Sequence, residues 1–323
     1  MNHIKDQIHC ERAYRMGLSG KGIGVAVLDT GIFLHRDFDS RVTGFADMVN
    51  RRNFAYDDCG HGTHICGIIG GSGRMSGGRY SGIAPGCNLI MVKVLDRKGN
   101  GYSSDVLAGI SWVLERKEQL GIRILNISVG ACSKRGMSEN SALVKGVNRA
   151  WDAGLVVVVA AGNNGPRTMS ITTPGISRKV ITVGCSDDDR EVLVGGNRMV
   201  DYSGRGPTAA CICKPDLVAP GCSVVSCSSR ADKYTIKSGT SMSTPIVSGA
   251  VALLLERFPD MSNKDVKLRL PEVVRMDAEE TSRDGDCWMW GKCLRDKDSK
   301  RKHIEMLLRV CYIVYKEVSP IDG

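Results

Sequence analysis

The sequence predicts an α/β fold: a doubly wound, mostly parallel central sheet with helices on both faces. Two observations carry that prediction. Short runs rich in Val, Ile and Leu recur without the apolar/polar alternation of a half-exposed strand, so they read as strands buried on both faces, as in a parallel sheet. Between them lie segments whose apolar residues repeat at helical spacing, and such alternation is the signature of βαβ units. In chain order, strands are expected at IGVAVLD (23–29), NLIMVKVL (88–95), IRILNIS (122–128), LVVVVAA (155–161) and VITVG (180–184). Within 104–120, Val106, Leu107, Ile110, Trp112, Val113 and Leu114 make one apolar helix face, and 142–151 behaves similarly. A further helix is expected at IVSGAVALLL (246–255). It starts behind four hydroxyl residues, Thr240, Ser241, Ser243 and Thr244, and behind Pro245, an early-turn proline expected to remove no helical hydrogen bond.

Composition narrows the class. The chain has 323 residues, 42% hydrophobic and 24% charged, with 38 glycines, which suits a soluble protein with a sizeable core and many tight turns and excludes disordered and collagen-like chains. The formal charge is +9, yet residues 271–323 carry 10 Lys/Arg against 11 Asp/Glu, so the excess lies in the first 270. No basic arm and no aromatics interleaved with basic residues occur, so the charges read as solvated faces and no nucleic-acid partner is expected. The glycines of SGKGIG (19–24) precede a strand instead of following one, which argues against a dinucleotide site.

Thirteen cysteines form an odd, scattered set; Cys211 and Cys213 stand one residue apart with no second pair at zinc-ligand spacing. Unpatterned thiols suit a reducing compartment, and the polar start MNHIKDQIHCERAYRMG has no apolar core of an export signal. The expectation is a cytoplasmic protein, with no apolar run long enough for a membrane anchor. Three regions are expected: a short N-terminal segment (1–14), a domain (15–270), and a divergent charged tail (271–323). The tail has a helix at 304–315, with Ile304, Leu307, Leu308, Cys311, Tyr312 and Tyr315 at helical spacing.

A helix N-terminus crowded with hydroxyls is a place where a serine could act as a nucleophile, because free amides and the positive dipole end stabilise developing negative charge. Serine is weak until a base takes its proton, and that base works best when a carboxylate orients it. His61 and His64 fall in CGHGTHICGIIG, between glycines and an apolar helical run, and Asp29 ends the strand IGVAVLD, at the carboxyl edge where open α/β sheets collect their functional groups. Taken singly, Asp29 is a turn former, His61 a solvated loop residue and Ser241 a helix cap. His64 reads as a packing or hydrogen-bonding group, and Cys66 as a small buried hydrophobe with thiol-reagent sensitivity as the competing reading.

Taken in order, VAVLDTGI around Asp29, GHGTHICG around His61, VVAAGNNGP around Asn163 and GTSMSTPIVSGAVALL around Ser241 resemble the subtilisin-like serine protease family, in a flavour similar to its intracellular bacterial branch. The resemblance covers roughly 15–270. It implies that Ser241 attacks the scissile carbonyl, His61 carries the proton, Asp29 holds the imidazole, and the Asn163 amide with the Ser241 N–H faces the oxyanion. It implies that polypeptide substrate adds as a strand along Ser128, Val129 and Gly130, with Ala160, Ala161 and Gly162 walling the first pocket and Thr172 near its base. No acidic residue falls there, so medium or large apolar side chains are expected. No cofactor is implied for the chemistry.

Asp37 matches a structural calcium ligand of many relatives, but GGSGRMSGGRYSG (70–82), which should complete that site, has no carboxylate or Asn and is expected to be a mobile element without a tight ion. Secreted relatives carry a long N-terminal chaperone domain, so the short start implies either folding without one or a small inhibitory flap. KDVKLRL (264–270) is family-like, and the sequence after Pro271 departs from the family. The expected function is an endopeptidase acting on unfolded or flexible polypeptide. A narrow processing protease and a catalytically silent binding domain are the alternatives; oligomeric state is left open.

Overall fold

The computed structural model describes residues 1–130 and 139–270; the tail and its expected helix at 304–315 lie outside the described residues. Two short helices, α1 (Asn2–Gln7) and α2 (Cys10–Arg15), lead into β1 (Gly24–Asp29), β2 (Val42–Asp47), α3 (His61–Gly70), β3 (Asn88–Lys93), α4 (Ser103–Arg116), β4 (Ile122–Ile127), α5 (Ala142–Asp152) and β5 (Val156–Ala160). There follow β6 (Ile181–Cys185), the hairpin β7 (Val192–Val194) and β8 (Asn197–Met199), β9 (Leu217–Ala219), the hairpin β10 (Val224–Cys227) and β11 (Tyr234–Lys237), and α6 (Thr240–Arg257).

Seven strands form one sheet in the order β2-β3-β1-β4-β5-β6-β9, every pairing parallel. All residues of β1, β5 and β6 are buried, which is why their sequences are continuous Val/Ile runs. Helices α3 and α6 pack together on one face, and α4 and α5 on the other. The five expected strands and the helices at 104–120 and 142–151 are present within a few residues, the first helix ending at Arg116. The edge strands β2 and β9 had no such signal: VTGFAD is half-exposed along most of its length, and LVA has three residues.

Two features position the site. The strand order reverses at β1, whose neighbours β3 and β4 lie on opposite sides, and in open sheets such a switch opens a crevice at the carboxyl ends of the strands. Helix α6 then runs through the protein interior: Thr240 and residues 242–255 are all buried, as a helix apolar all round must be. Its hydroxyls are satisfied inside. Ser243 Oγ donates to the Ala219 carbonyl at 2.8 Å, Thr244 Oγ1 to the Thr240 carbonyl at 2.8 Å, and Ser248 Oγ to Asn126 Oδ1 at 2.9 Å. Pro245 departs from expectation. The helix already begins at Thr240, so the missing N–H of Pro245 falls where it would have bonded the Ser241 carbonyl.

The N-terminal segment packs into the main core: Ile4, Ile8, Cys10 and Ala13 are buried in it, and Tyr14 donates to the Ile83 carbonyl at 2.8 Å.

Candidate active site

Asp29 is the last residue of β1 and fully buried; His61 is the first of α3 and its side chain is 23% exposed. They meet because α3 starts hard against the β1 turn: a side chain at Gly62 would overlap the Gly31 carbonyl, so only glycine allows this approach. Asp57 fixes the start of α3. Its Oδ1 accepts from Thr30 Oγ1 (2.9 Å) and the Gly60 N–H (2.8 Å), and its Oδ2 from the Thr63 N–H (2.9 Å) and hydroxyl (2.6 Å). One carboxylate thus caps α3 and ties it to the residue after Asp29.

His61 Nδ1 lies 2.7 and 2.9 Å from the two oxygens of Asp29, and Oδ1 also accepts the Thr30 N–H at 2.7 Å. A carboxylate accepts only, so Nδ1 carries the hydrogen and Nε2 is the basic nitrogen. Burial alone would lower the His61 pKa; the charge and hydrogen bond of Asp29 outweigh it, and the net direction is upward from the ordinary 6.5.

Ser241 is the second residue of α6, and its Oγ donates to the Ser128 carbonyl at 2.7 Å, just past the end of β4. Asn163 follows β5. Its Oδ1 accepts both the Thr240 N–H and the Thr240 hydroxyl at 3.0 Å, which fixes the amide with oxygen toward Thr240 and leaves the NH₂ as donor on the other branch. That branch and the Ser241 N–H, a first-turn amide without a helical acceptor, are donors that a developing oxyanion requires.

Beneath Asp29 sits a cation that the sequence reading missed. Lys93, the last residue of β3, is fully buried; its ammonium donates to the carbonyls of Thr30 and Leu95 and pairs with Asp58 at 2.8 Å. A Lys closing an apolar strand looks like an ordinary solvated end, and only the register Asp29↔Lys93 reveals it as a brace for the Asp29 turn.

The residues expected to form a pocket divide. Thr172 donates from its N–H to the Ala161 carbonyl at 2.9 Å and is wedged between Gly130 and Gly162, where an added side chain on either glycine would overlap it. Ser128, Val129 and Gly130 follow β4, and Ala160 ends β5. Ala161 follows β5, and its methyl belongs to a buried cluster with Val144, Ile171 and Ile176.

Asp37 does not fit calcium. Its Oδ1 accepts the Met75 N–H at 2.9 Å, its Oδ2 the Tyr234 hydroxyl at 2.7 Å, and its other neighbours are His35 and Cys227, whereas calcium takes six to eight oxygens. The loop 70–82 contains a short 3-10 turn (Arg74–Ser76) whose Met75 amide occupies the carboxylate. His64 is an interior hydrogen-bonding group as expected. Nε2 faces the carbonyls of Val224 (3.1 Å) and Thr235 (3.3 Å), and burial pushes its pKa down to about 3. Cys66 is fully buried, and burial raises its thiol pKa well above the ordinary value, which makes it a packing residue.

The Subtilase family profile matches residues 20–284. The chain belongs to the subtilase family. Among subtilases it is 43% identical to the serine protease AprX of Bacillus subtilis (strain 168) over 278 residues, 80% of this chain and 63% of AprX. It is 32% identical to subtilisin DY of Bacillus licheniformis over 289 residues, 89% of this chain and 93% of that one. Against the solved structure of sphericase the TM-score is 0.66 at 32% identity, covering 79% and 84% of the two chains; against a cold-adapted subtilisin-like serine proteinase it is 0.64 at 31% identity, covering 78% and 82%. The chain spans under two thirds of the length of AprX and, at 66%, of the thermostable alkaline protease of Halalkalibacterium halodurans.

Proposed function

We propose that this subtilase is a serine endopeptidase that hydrolyses peptide bonds of unfolded or flexible polypeptides through Asp29, His61 and Ser241 and an acyl-enzyme intermediate. The observation that carries the reading is the 2.7 Å contact of buried Asp29 with His61 Nδ1, which leaves Nε2 as the basic nitrogen available for proton transfer. Substrate laid along residues 128–130 offers its own N–H to the Ser128 carbonyl. That carbonyl now holds the Ser241 hydroxyl, so substrate displaces the hydroxyl toward His61 Nε2. The serine oxygen then attacks the carbonyl carbon, Nε2 takes its proton, and the imidazolium formed is held by Asp29 and later protonates the leaving amine. The oxyanion is met by the Asn163 amide and the Ser241 N–H. None of these steps requires a cofactor, and Asp37 has no role in them.

The test is treatment of the purified chain with a fluorophosphonate probe beside an assay on denatured casein. Labelling mapped to Ser241, with loss of hydrolysis in proportion, is the expected result; unlabelled, folded protein without hydrolysis supports the binding-only reading instead. A single preferred site across a peptide library would favour a processing protease.

Three further outcomes follow from the geometry. His61 must be neutral to accept a proton, and its pKa is raised, so activity is lost as pH falls. The acid limb of kcat/KM is expected to have its midpoint above 6.5, and a midpoint below 6 would contradict the Asp29 contact. Asn163→Ala is expected to lower kcat roughly 10²- to 10³-fold with little change in KM, on the scale known from a subtilisin. Thr172→Gly removes the side chain wedged between two glycines, so peptides with Phe or Tyr before the scissile bond should gain in kcat/KM over those with Ala, read on a paired panel. The scattered thiols further support a reducing, cytoplasmic location, to be checked by fractionation of cells of the source organism.

A further inference from the structure

We propose that Cys185, Cys222 and Asp187 form a binding site for a thiophilic divalent cation of the zinc class. The two thiols and the carboxylate come from the end of β6 and the turn after β9, and one ligand atom from each lies within 4.8 Å of the others. That spread suits sulfur and oxygen ligands that must each close to between about 2.0 and 2.3 Å of one ion. Cys185 and Cys222 are 5% and 7% exposed.

The surroundings are those of a ligand set. Tyr202, fully buried, places its hydroxyl 3.1 Å from both sulfurs, where it can donate to a thiolate once a thiol proton has left. Asp187 Oδ1 accepts the N–H groups of Gly221 (2.7 Å) and Cys222 (3.1 Å) and lies 3.1 Å from Cys185 Sγ, so the carboxylate is oriented before any ion arrives. Asp187 and Cys222 also line a cavity of about 190 Å³ shared with His3, Gln7, Arg190, Val192 and Ser223, which supplies an entry path and room for a water as a fourth ligand. The fully buried trio His35, Asp37 and Cys227 lacks these properties: both Asp37 oxygens are engaged, and His35 Nδ1 already accepts the Asp37 N–H at 3.1 Å.

Binding follows a balanced exchange. The cation gains two sulfur ligands, each thiol loses its proton to solvent, nothing is oxidised or reduced, and about two protons appear per ion bound. The bound ion clamps β6 to the turn that precedes β10. Gly221 in that turn is packed so closely on Cys185 Sγ and Ser243 that no side chain would fit, which links the clamp to the first turns of α6.

The experiment uses the full chain carrying Ser241→Ala, to prevent self-digestion, purified under reductant and chelator and titrated with cadmium and with zinc. Expected are a tight equivalent with a cadmium–thiolate ultraviolet band, release of about two protons for that ion, and a zinc-dependent rise in Tm. Cys185→Ser and Cys222→Ser should each remove that equivalent, weakening it about a hundredfold or more, while Cys227→Ser and the Cys211→Ser/Cys213→Ser pair should retain it. Asp187→Asn keeps an oxygen for the two amides, so it guards against loss of fold; it should weaken the site at least tenfold and shrink the Tm rise. A band unchanged in Cys185→Ser or Cys222→Ser, an affinity and Tm rise unchanged in Asp187→Asn, or a Cys185–Cys222 disulfide found by mass spectrometry in the reductant-treated protein would overturn the proposal.

Discussion

Ser241→Ala is expected to abolish peptide hydrolysis, lowering kcat on the order of a million-fold, a scale set by a subtilisin, while leaving the fold in place. Both halves follow from the structure. Among the described residues the hydrogen bond given up is that from Oγ to the Ser128 carbonyl at 2.7 Å, a loss of about 1 kcal/mol, and the rest of α6 keeps its burial. The oxyanion donors survive, so the variant should still turn over some 10³- to 10⁴-fold faster than water alone. Retained hydrolysis at parental rates by a folded variant, with contaminating proteases excluded by inhibitor, would move the nucleophile elsewhere.

The second large effect is expected for Asp29→Asn. Asp29 Oδ1 accepts the Thr30 N–H at 2.7 Å, so an asparagine there keeps its oxygen on that amide and puts its NH₂ in the place of Oδ2, which lies 2.9 Å from His61 Nδ1. The imidazole must then accept at Nδ1 and carry its hydrogen on Nε2, where it cannot take a proton from serine. A fall of about 10⁴-fold in kcat is expected at neutral pH with KM little changed, partly recovered at high pH as hydroxide replaces the base. The fold has reason to survive, since the substitution keeps shape and the Thr30 bond. The altered tautomer itself is visible in the ring-nitrogen shifts of labelled histidine, and a shift pattern identical to that of the parent would count against the mechanism.

The places of these two residues were legible locally, a carboxylate that ends a Val-rich run and a serine at the start of a helix. Taken singly they read as a turn former and a cap, and only the ordered blocks around Asp29, His61, Asn163 and Ser241 pointed to their chemistry. The strands β1 and β3–β6 were readable locally, since burial on both faces writes itself as uninterrupted Val and Ile. What escaped depends on partners distant in the chain. Lys93 looks like a solvated end of a strand until β1 is set beside β3, and Asp57 looks like a turn former until Thr30 and Thr63 converge on it. The absence of carboxylates in 70–82 was legible, and the amide of Met75 that bonds Asp37 was not.

The position of Ser241 on a helix buried along nearly its whole length bears on how this protein can fail. Amides in the interior of α6 can exchange with solvent only when the sheet's packing comes apart, so their exchange should proceed at the rate of global unfolding. The nucleophile is therefore held by the last part of the molecule to open. Heating should not yield a folded protein with a displaced serine: irreversible inactivation and cooperative melting are one event.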